Sequence, residues 1–253
     1  MIFVIDVGNT NTVFGVLEGE KLVAKGRLAT ISTHTSDDWA MKLHSFLQMN
    51  GIGKIDGAII SSVVPVMNRK LKKAIHRALG VDAVVVGPGV KTGLNIKIDN
   101  PAELGADLVV GAVAGINKYP CPMVIFDLGT ATTASVIDKN KTYIGGVVMC
   151  SVITALNAIS SNTAQLPQVD VSAPEKSICS NTVDCMRSGA VYGTAAVIDG
   201  LVERFEAELG EKPTVVVTGG LSTTILEHCK TDLIHDKDLL LDGLRIIYEK
   251  NCD

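Results

Sequence analysis

With 253 residues, the chain is long enough for one large domain or two of ordinary size around a substantial buried core. Hydrophobic residues make up 47% and charged residues 20%, with a mean hydropathy of +0.31, which argues against a disordered chain and fits a globular protein with fully buried strands. The net charge of −4 and a pI near 5.7, with no basic block beyond Arg69-Lys70-Leu71-Lys72-Lys73, argue against a nucleic-acid partner, and no apolar run reaches the ~18 residues that a membrane span needs.

The first predicted element is the apolar run Ile2-Phe3-Val4-Ile5, a buried strand that ends in the turn Asp6-Val7-Gly8-Asn9-Thr10. Thr12 to Leu17 resumes a strand, Glu18-Gly19-Glu20 makes a tight connection, and Lys21 to Ala29 supplies a third strand of an antiparallel meander. A helix follows from Ser36-Asp37-Asp38, with Ser36 as its cap, through Leu47, and Trp39 reads as core. Gly57 to Val64 is a buried strand leading into Pro65 and a helix from Met67 to Leu79; Ala83 to Val86 is another strand.

Half a chain later the pattern returns. Met123-Val124-Ile125-Phe126 runs into Asp127-Leu128-Gly129-Thr130-Ala131-Thr132-Thr133, a strand from Thr133 to Asp138 follows, and Lys139-Asn140-Lys141 joins it to Thr142–Val148. Ile153, Leu156 and Ile159 stand at helical spacing, either as core or as an interface, and a further helix runs through Val183, Met186 and Val191. Val215 to Val217 is a buried strand ending in the turn Thr218-Gly219-Gly220. A single Asp–Gly turn is ordinary, because both residues favour turns. Two copies at half-chain spacing point instead to phosphate handling: the acid can orient a metal ion, the glycine lets backbone N–H groups approach, and the threonine hydroxyls can donate to phosphate oxygens. The repeat divides the chain at 1–117 and 118–253. Six scattered cysteines without a CxxC pair read as reduced thiols, the five histidines form no metal grouping, and the start Met1 to Asp6 lacks the features of a signal peptide. A soluble, cytoplasmic protein is expected.

The repeated order of strand, Asp–Gly–Thr turn, two strands, helix, strand and helix resembles the actin, sugar-kinase and Hsp70 ATPase superfamily. That resemblance implies an α/β fold of duplicated ribonuclease-H-like domains with ATP in a central cleft. Asp6 to Thr12, Ser61-Ser62-Val63-Val64-Pro65, Gly93-Leu94 with Asn100-Pro101 and Gly105-Ala106-Asp107, Asp127 to Thr133, Thr163-Ala164-Gln165-Leu166-Pro167, Asn181-Thr182 and Thr218-Gly219-Gly220-Leu221 occur in one order. Together they are similar to the type III pantothenate kinases, which implies ATP-dependent phosphorylation of pantothenate in a homodimer, with Mg²⁺ and a monovalent cation, K⁺ or NH₄⁺.

By the same resemblance, Asp6, Val7, Gly8, Asn9, Thr10, Asn11, Thr12 and Val13 form the first phosphate loop, and Asp6 also orients Mg²⁺. Asp127 holds the monovalent cation, Thr130 contacts ATP, and the Thr218-Gly219-Gly220 backbone approaches the adenosine. Gly105, Ala106, Asp107, Leu108 and Thr182 line the pantothenate site, with Asp107 as general base. Residue types alone leave Asp107 open as a helix N-cap and Ser180-Asn181-Thr182 as a cap of the following helix.

The chain departs from the family pattern on the acceptor side. Leu108 stands where the family has an Arg that meets the pantothenate carboxylate, Ile98 replaces a Tyr, Cys150-Ser151 replaces Pro-Gly, and Cys179-Ser180 replaces Gly-Lys. An Arg fork gives two charge-assisted hydrogen bonds and Leu none. Three readings follow: a pantothenate kinase, a related kinase with another acceptor, or a non-catalytic nucleotide-binding or regulatory paralogue.

Overall fold

A computed structural model of the chain describes residues 1–252. The first strand, β1 (Ile2–Val7), pairs antiparallel with β2 (Asn11–Glu18), and β2 pairs antiparallel with β3 (Lys21–Ala29). Helix α1 (Ser36–Met49) leads to β4 (Gly57–Ser62), which lies parallel to β1, and α2 (Pro65–Leu79) leads to β5 (Ala83–Val85), parallel to β4. The sheet order is β3-β2-β1-β4-β5.

After the short strand β6 (Asn95–Ile96), a 3₁₀ turn at Pro101–Glu103 and helix α3 (Ala106–Lys118), the order starts again with β7 (Met123–Leu128), β8 (Ala131–Ile137) and β9 (Thr142–Cys150). Helices α4 (Val152–Asn162) and α5 (Thr182–Leu209) precede β10 (Thr214–Thr218), and α6 (Ser222–Leu226), β11 (Ile234–His235) and α7 (Leu239–Glu249) complete the chain. The second sheet runs β11-β10-β7-β8-β9-β6. Without β6 at its edge, it has the same order and the same strand directions as the first, so the sequence repeat is a repeat of topology.

The apolar alternation explains each layer. Phe3, Ile5 and Val7 of β1 and Ala58 and Ile60 of β4 meet Trp39, Leu43 and Leu47 of α1 and Met67, Leu71 and Ile75 of α2 in one core. Val124, Phe126 and Leu128 of β7 and Val215 and Val217 of β10 meet Leu156 of α4 and Val191, Ala195, Ile198 and Val202 of α5 in the other. Gly80 and Gly210 end α2 and α5 in the left-handed conformation, at φ +72° and +74°.

One local expectation changes. Thr35, not Ser36, caps α1: its hydroxyl accepts from the Asp38 N–H at 3.2 Å, and the Asp38 carboxylate accepts from the Thr35 N–H at 2.8 Å. The chain divides into two units, with a boundary between Asn117 and Lys118. The first comprises Met1–Leu94, Asp99–Asn117 and the segment from Asp238 onward, and the second comprises Asn95–Ile98 and Lys118–Lys237. The C-terminal helix α7 returns to the first unit, where it packs on β1, β4 and β2 and buries Leu239, Leu241, Leu244 and Ile247.

Candidate active site

The first Asp–Gly–Thr turn joins β1 to β2. Asp6 is half-buried at the strand end, paired in register with Val13 on one side and Ser61 on the other. The turn is closed by the Gly8 N–H donating to the Asn11 carbonyl at 3.0 Å. Asn9 and Thr10 are exposed at its tip, whereas Val7 points into the core and Thr12 is fully buried. The Thr12 hydroxyl lies 2.9 Å from that of Thr30, whose own hydroxyl donates to the Gly8 carbonyl at 2.7 Å, and the Thr30 N–H donates to the Thr10 carbonyl at 2.9 Å. The side chains of Val7 and Thr12 are therefore turned into the fold, and Thr30 braces the turn. Reading the sequence overlooks Thr30, because it stands eighteen positions beyond Thr12 and reaches it only through the β2–β3 pairing.

Ser61, across from Asp6, is fully buried, and its hydroxyl has no hydrogen-bond partner among the described residues. Ser62 closes the following turn, accepting from the Val64 N–H at 3.0 Å ahead of Pro65. A divalent ion at Asp6 would have few protein ligands, since no group of three or more His, Cys, Asp or Glu is placed to hold a metal among the described residues. That suits Mg²⁺, which keeps waters and substrate phosphates and commonly takes only one or two carboxylates.

In the second unit, Asp127 is half-buried at the end of β7, paired in register with Thr133 and Thr218, and Thr130 is exposed. A Cβ on Gly129 would make only an ordinary contact with Oδ1 of Asp127, at 3.4 Å. The Thr130 carbonyl accepts from the Thr154 hydroxyl at 3.4 Å, and Ser151 caps α4 by accepting from the Thr154 N–H at 3.2 Å. Ser151, one of the departures from the family pattern, thus has a structural task as a buried N-cap.

Asp107 lies in the first turn of α3, one residue past the helix start, rather than at the N-cap position. Its Oδ1 accepts from the Leu108 N–H at 2.8 Å, and a Cβ on Gly105 would come within 2.5 Å of the same oxygen. Gly105 leaves open the space into which the carboxylate folds. Burial raises the Asp107 carboxyl above the ordinary carboxylate value, against the lowering by the Leu108 N–H and its own. A half-buried carboxylate with a raised pKa is chemically suited to accept a proton from a hydroxyl. Leu108 and Ile98 are half-buried. At the start of α5, Asn181 is the cap, accepting from the Asp184 N–H at 2.9 Å, and Thr182, the first helical residue, is exposed. Asp6 and Asp107 belong to the first unit; Asp127, Thr130 and Thr182 belong to the second.

Of the apolar residues at helical spacing in α4, Leu156 is core, and Ile153 and Ile159 are exposed. No helix among the described residues is long and apolar enough to cross a membrane.

Comparison with known proteins places the chain in one family. The family model for type III pantothenate kinase matches residues 2–204. A type III pantothenate kinase of an Exiguobacterium species is 44% identical over 99% of this chain and 99% of its own length, and one of a Geobacillus species is 43% identical over 100% and 99%. Among solved structures, the inorganic polyphosphate/ATP-glucomannokinase of an Arthrobacter species aligns with a TM-score of 0.51 and 13% identity, covering 98% of each chain. At that identity the likeness speaks to the fold alone, which is the duplicated α/β fold of the sugar kinase, actin and Hsp70 ATPases. The chain belongs to the type III pantothenate kinase family.

Proposed function

We propose that this chain transfers the γ-phosphoryl group of ATP to the primary hydroxyl of pantothenate, giving 4′-phosphopantothenate and ADP, the first step of coenzyme A synthesis. The observation that carries the proposal is the full-length relationship to proteins named type III pantothenate kinase. The local chemistry supports it. Phosphoryl transfer of this kind needs positioning and charge neutralisation rather than a covalent enzyme intermediate. In this reading Asp6 to Val13 cradle phosphate with the backbone of the turn and the exposed Asn9 and Thr10, and Thr130 contacts ATP. Asp6 would orient a bound Mg²⁺, which would supply charge neutralisation for the phosphates. Asp127 holds a monovalent cation, K⁺ or NH₄⁺.

Asp107 takes the proton from the pantothenate hydroxyl as its oxygen bonds to the γ-phosphorus and the bond to the ADP oxygen breaks. Gly105, Ala106, Leu108 and Thr182 contact the acceptor. The enzyme works as a homodimer in the cytoplasm. The exposed apolar side chains Val148 on β9 and Ile153 and Ile159 on α4 support an interface there, and the six free cysteines suit a reducing compartment.

A coupled ADP-release assay with Mg²⁺ and K⁺ tests the proposal. ADP formation is expected to depend on pantothenate, and no pantothenate-dependent ADP at millimolar substrate would sink the reading. Leu108 favours weaker acceptor binding than an Arg there would give. The loss of a charge-assisted contact costs about 1.5–3 kcal/mol, on the order of tenfold to a hundredfold in binding.

A further inference from the structure

Behind the Thr218-Gly219-Gly220 turn, two residues with no role so far form a chain of contacts inside the second unit. Ser222, the first residue of α6, is fully buried. Its hydroxyl donates to the Gly219 carbonyl at 2.7 Å and lies 2.6 Å from Nε2 of His235 in β11. A hydroxyl has one proton. With that proton committed to Gly219, the proton in the second bond belongs to Nε2, so His235 donates to Ser222 and Ser222 donates to Gly219.

Gly219 is pressed from the other side. It sits at φ +97°, and a Cβ there would lie 2.6 Å from Oδ1 of Asp127 and 2.6 Å from the Leu128 backbone. The Leu221 N–H reaches back to the Leu128 carbonyl at 3.5 Å. The Gly219 peptide is thus gripped at its carbonyl while its α-carbon rests against the end of β7. An apolar pair could join α6 to β11 as well. Burying the Ser222 hydroxyl is costly unless it is bonded, and here it is bonded on both sides, donating to the Gly219 carbonyl of the turn and accepting from the half-buried His235 ring.

We propose that Ser222 and His235 are positioning residues for nucleotide binding, holding the Gly219–Gly220 backbone open to the adenosine and, through the packing of Gly219, fixing the Asp127 carboxylate. This rests on the kinase reading above, in which that turn meets ATP and Asp127 meets the monovalent cation. Burial, then the charge of Lys237, pushes the His235 pKa down against the opposing pull of Asp236, so the ring is neutral at physiological pH with its proton on Nε2.

The test is calorimetric titration of the full-length protein with a non-hydrolysable ATP analogue in Mg²⁺ and K⁺, alongside steady-state kinetics. Ser222→Ala and His235→Ala each weaken analogue binding about tenfold, the size of one lost buried hydrogen bond, and raise the KM for ATP and the half-saturating K⁺ concentration in step. They leave kcat and the KM for pantothenate within about twofold. His235→Gln, whose amide can donate from the place of Nε2, restores the affinity, and the double alanine variant is no weaker than either single one because the two side chains act in series. If His235→Ala does not fold, Ser222→Ala probes the same contact from its other end. Lower melting temperatures with unchanged ATP affinity, or no rescue by glutamine, would overturn the inference and leave the kinase reading intact. A wild-type protein that binds no analogue would overturn the kinase reading itself.

Discussion

At Asp107 the proposed base chemistry and the stability of the fold pull in opposite directions. Burial raises its folded pKa above the ordinary value of 3.8, so its contribution to stability is complete below that value and is lost as the pH rises through the folded pKa. At neutral pH the ionised carboxylate is a cost of folding. Asp107→Asn removes that cost and is expected to raise the melting temperature at pH 7 but not at pH 3, while lowering kcat by about 10²–10⁴-fold and leaving ATP binding unchanged. A lower melting temperature at pH 7, or retained turnover, would count against Asp107 as a buried base. If Asp107 is the base as proposed, wild-type activity is expected to fall on the acid side as the pH drops through the same raised pKa, which a pH–rate profile checks. Leu108 poses a separate question. Leu108→Arg is expected to lower the KM for pantothenate about tenfold through a charge-assisted contact, with the KM for ATP unchanged, in the ADP-release assay. An unchanged KM would mean that the acceptor carboxylate does not reach this position.

Among the elements, α3 and α7 depend on an approach that one methyl group would prevent. A Cβ on Gly243 would lie 2.1 Å from the Val110 carbonyl oxygen and 2.9 Å from its carbonyl carbon, backbone atoms that cannot rotate away. Gly243→Ala should therefore destabilise the protein by about 1–3 kcal/mol, as overpacking does. In thermal unfolding this lowers the melting temperature by about 2–4 °C for each kcal/mol. Sequence patterns reveal such elements unevenly. The meanders β1–β3 and β7–β9 are legible because alternation and turn residues are local signals. Helix α7 is not, because Leu239-Leu240-Leu241 are apolar at consecutive positions, a run that leaves helix and strand undecided. The cap of α1 is off by one residue because Thr35 and Ser36 are both good caps, and only the reciprocal bonds with Asp38 choose between them.

For the molecule as a whole, α7 completes a unit that begins more than two hundred residues earlier. Leu239, Leu241, Leu244 and Ile247 are each at most 2% exposed, and four such side chains stabilise the fold by roughly 6–12 kcal/mol at about 1.5–3 kcal/mol each. That rivals the entire net stability of a typical domain, about 5–15 kcal/mol. A chain ending at Lys237 is expected to lose the cooperative unfolding of the first unit, measured by circular dichroism and limited proteolysis. Unchanged melting would show that α7 is dispensable.

The residues of the chain determine on their own that an α/β unit is repeated, that each copy ends its first strand in an Asp–Gly–Thr turn, and that the motifs follow the order of one kinase family. These are properties of short windows, in which hydrophobic period and turn chemistry act over a few neighbouring positions. The tertiary structure decides that Thr30 braces the first turn, that Ser222, bonded in turn by His235, holds the Gly219 carbonyl, that Ser151 has become a helix cap, and that α7 belongs with β1. Each depends on a hydrogen bond or a buried contact that forms only once the chain is folded, and neither residue type nor spacing specifies which partner a side chain will meet.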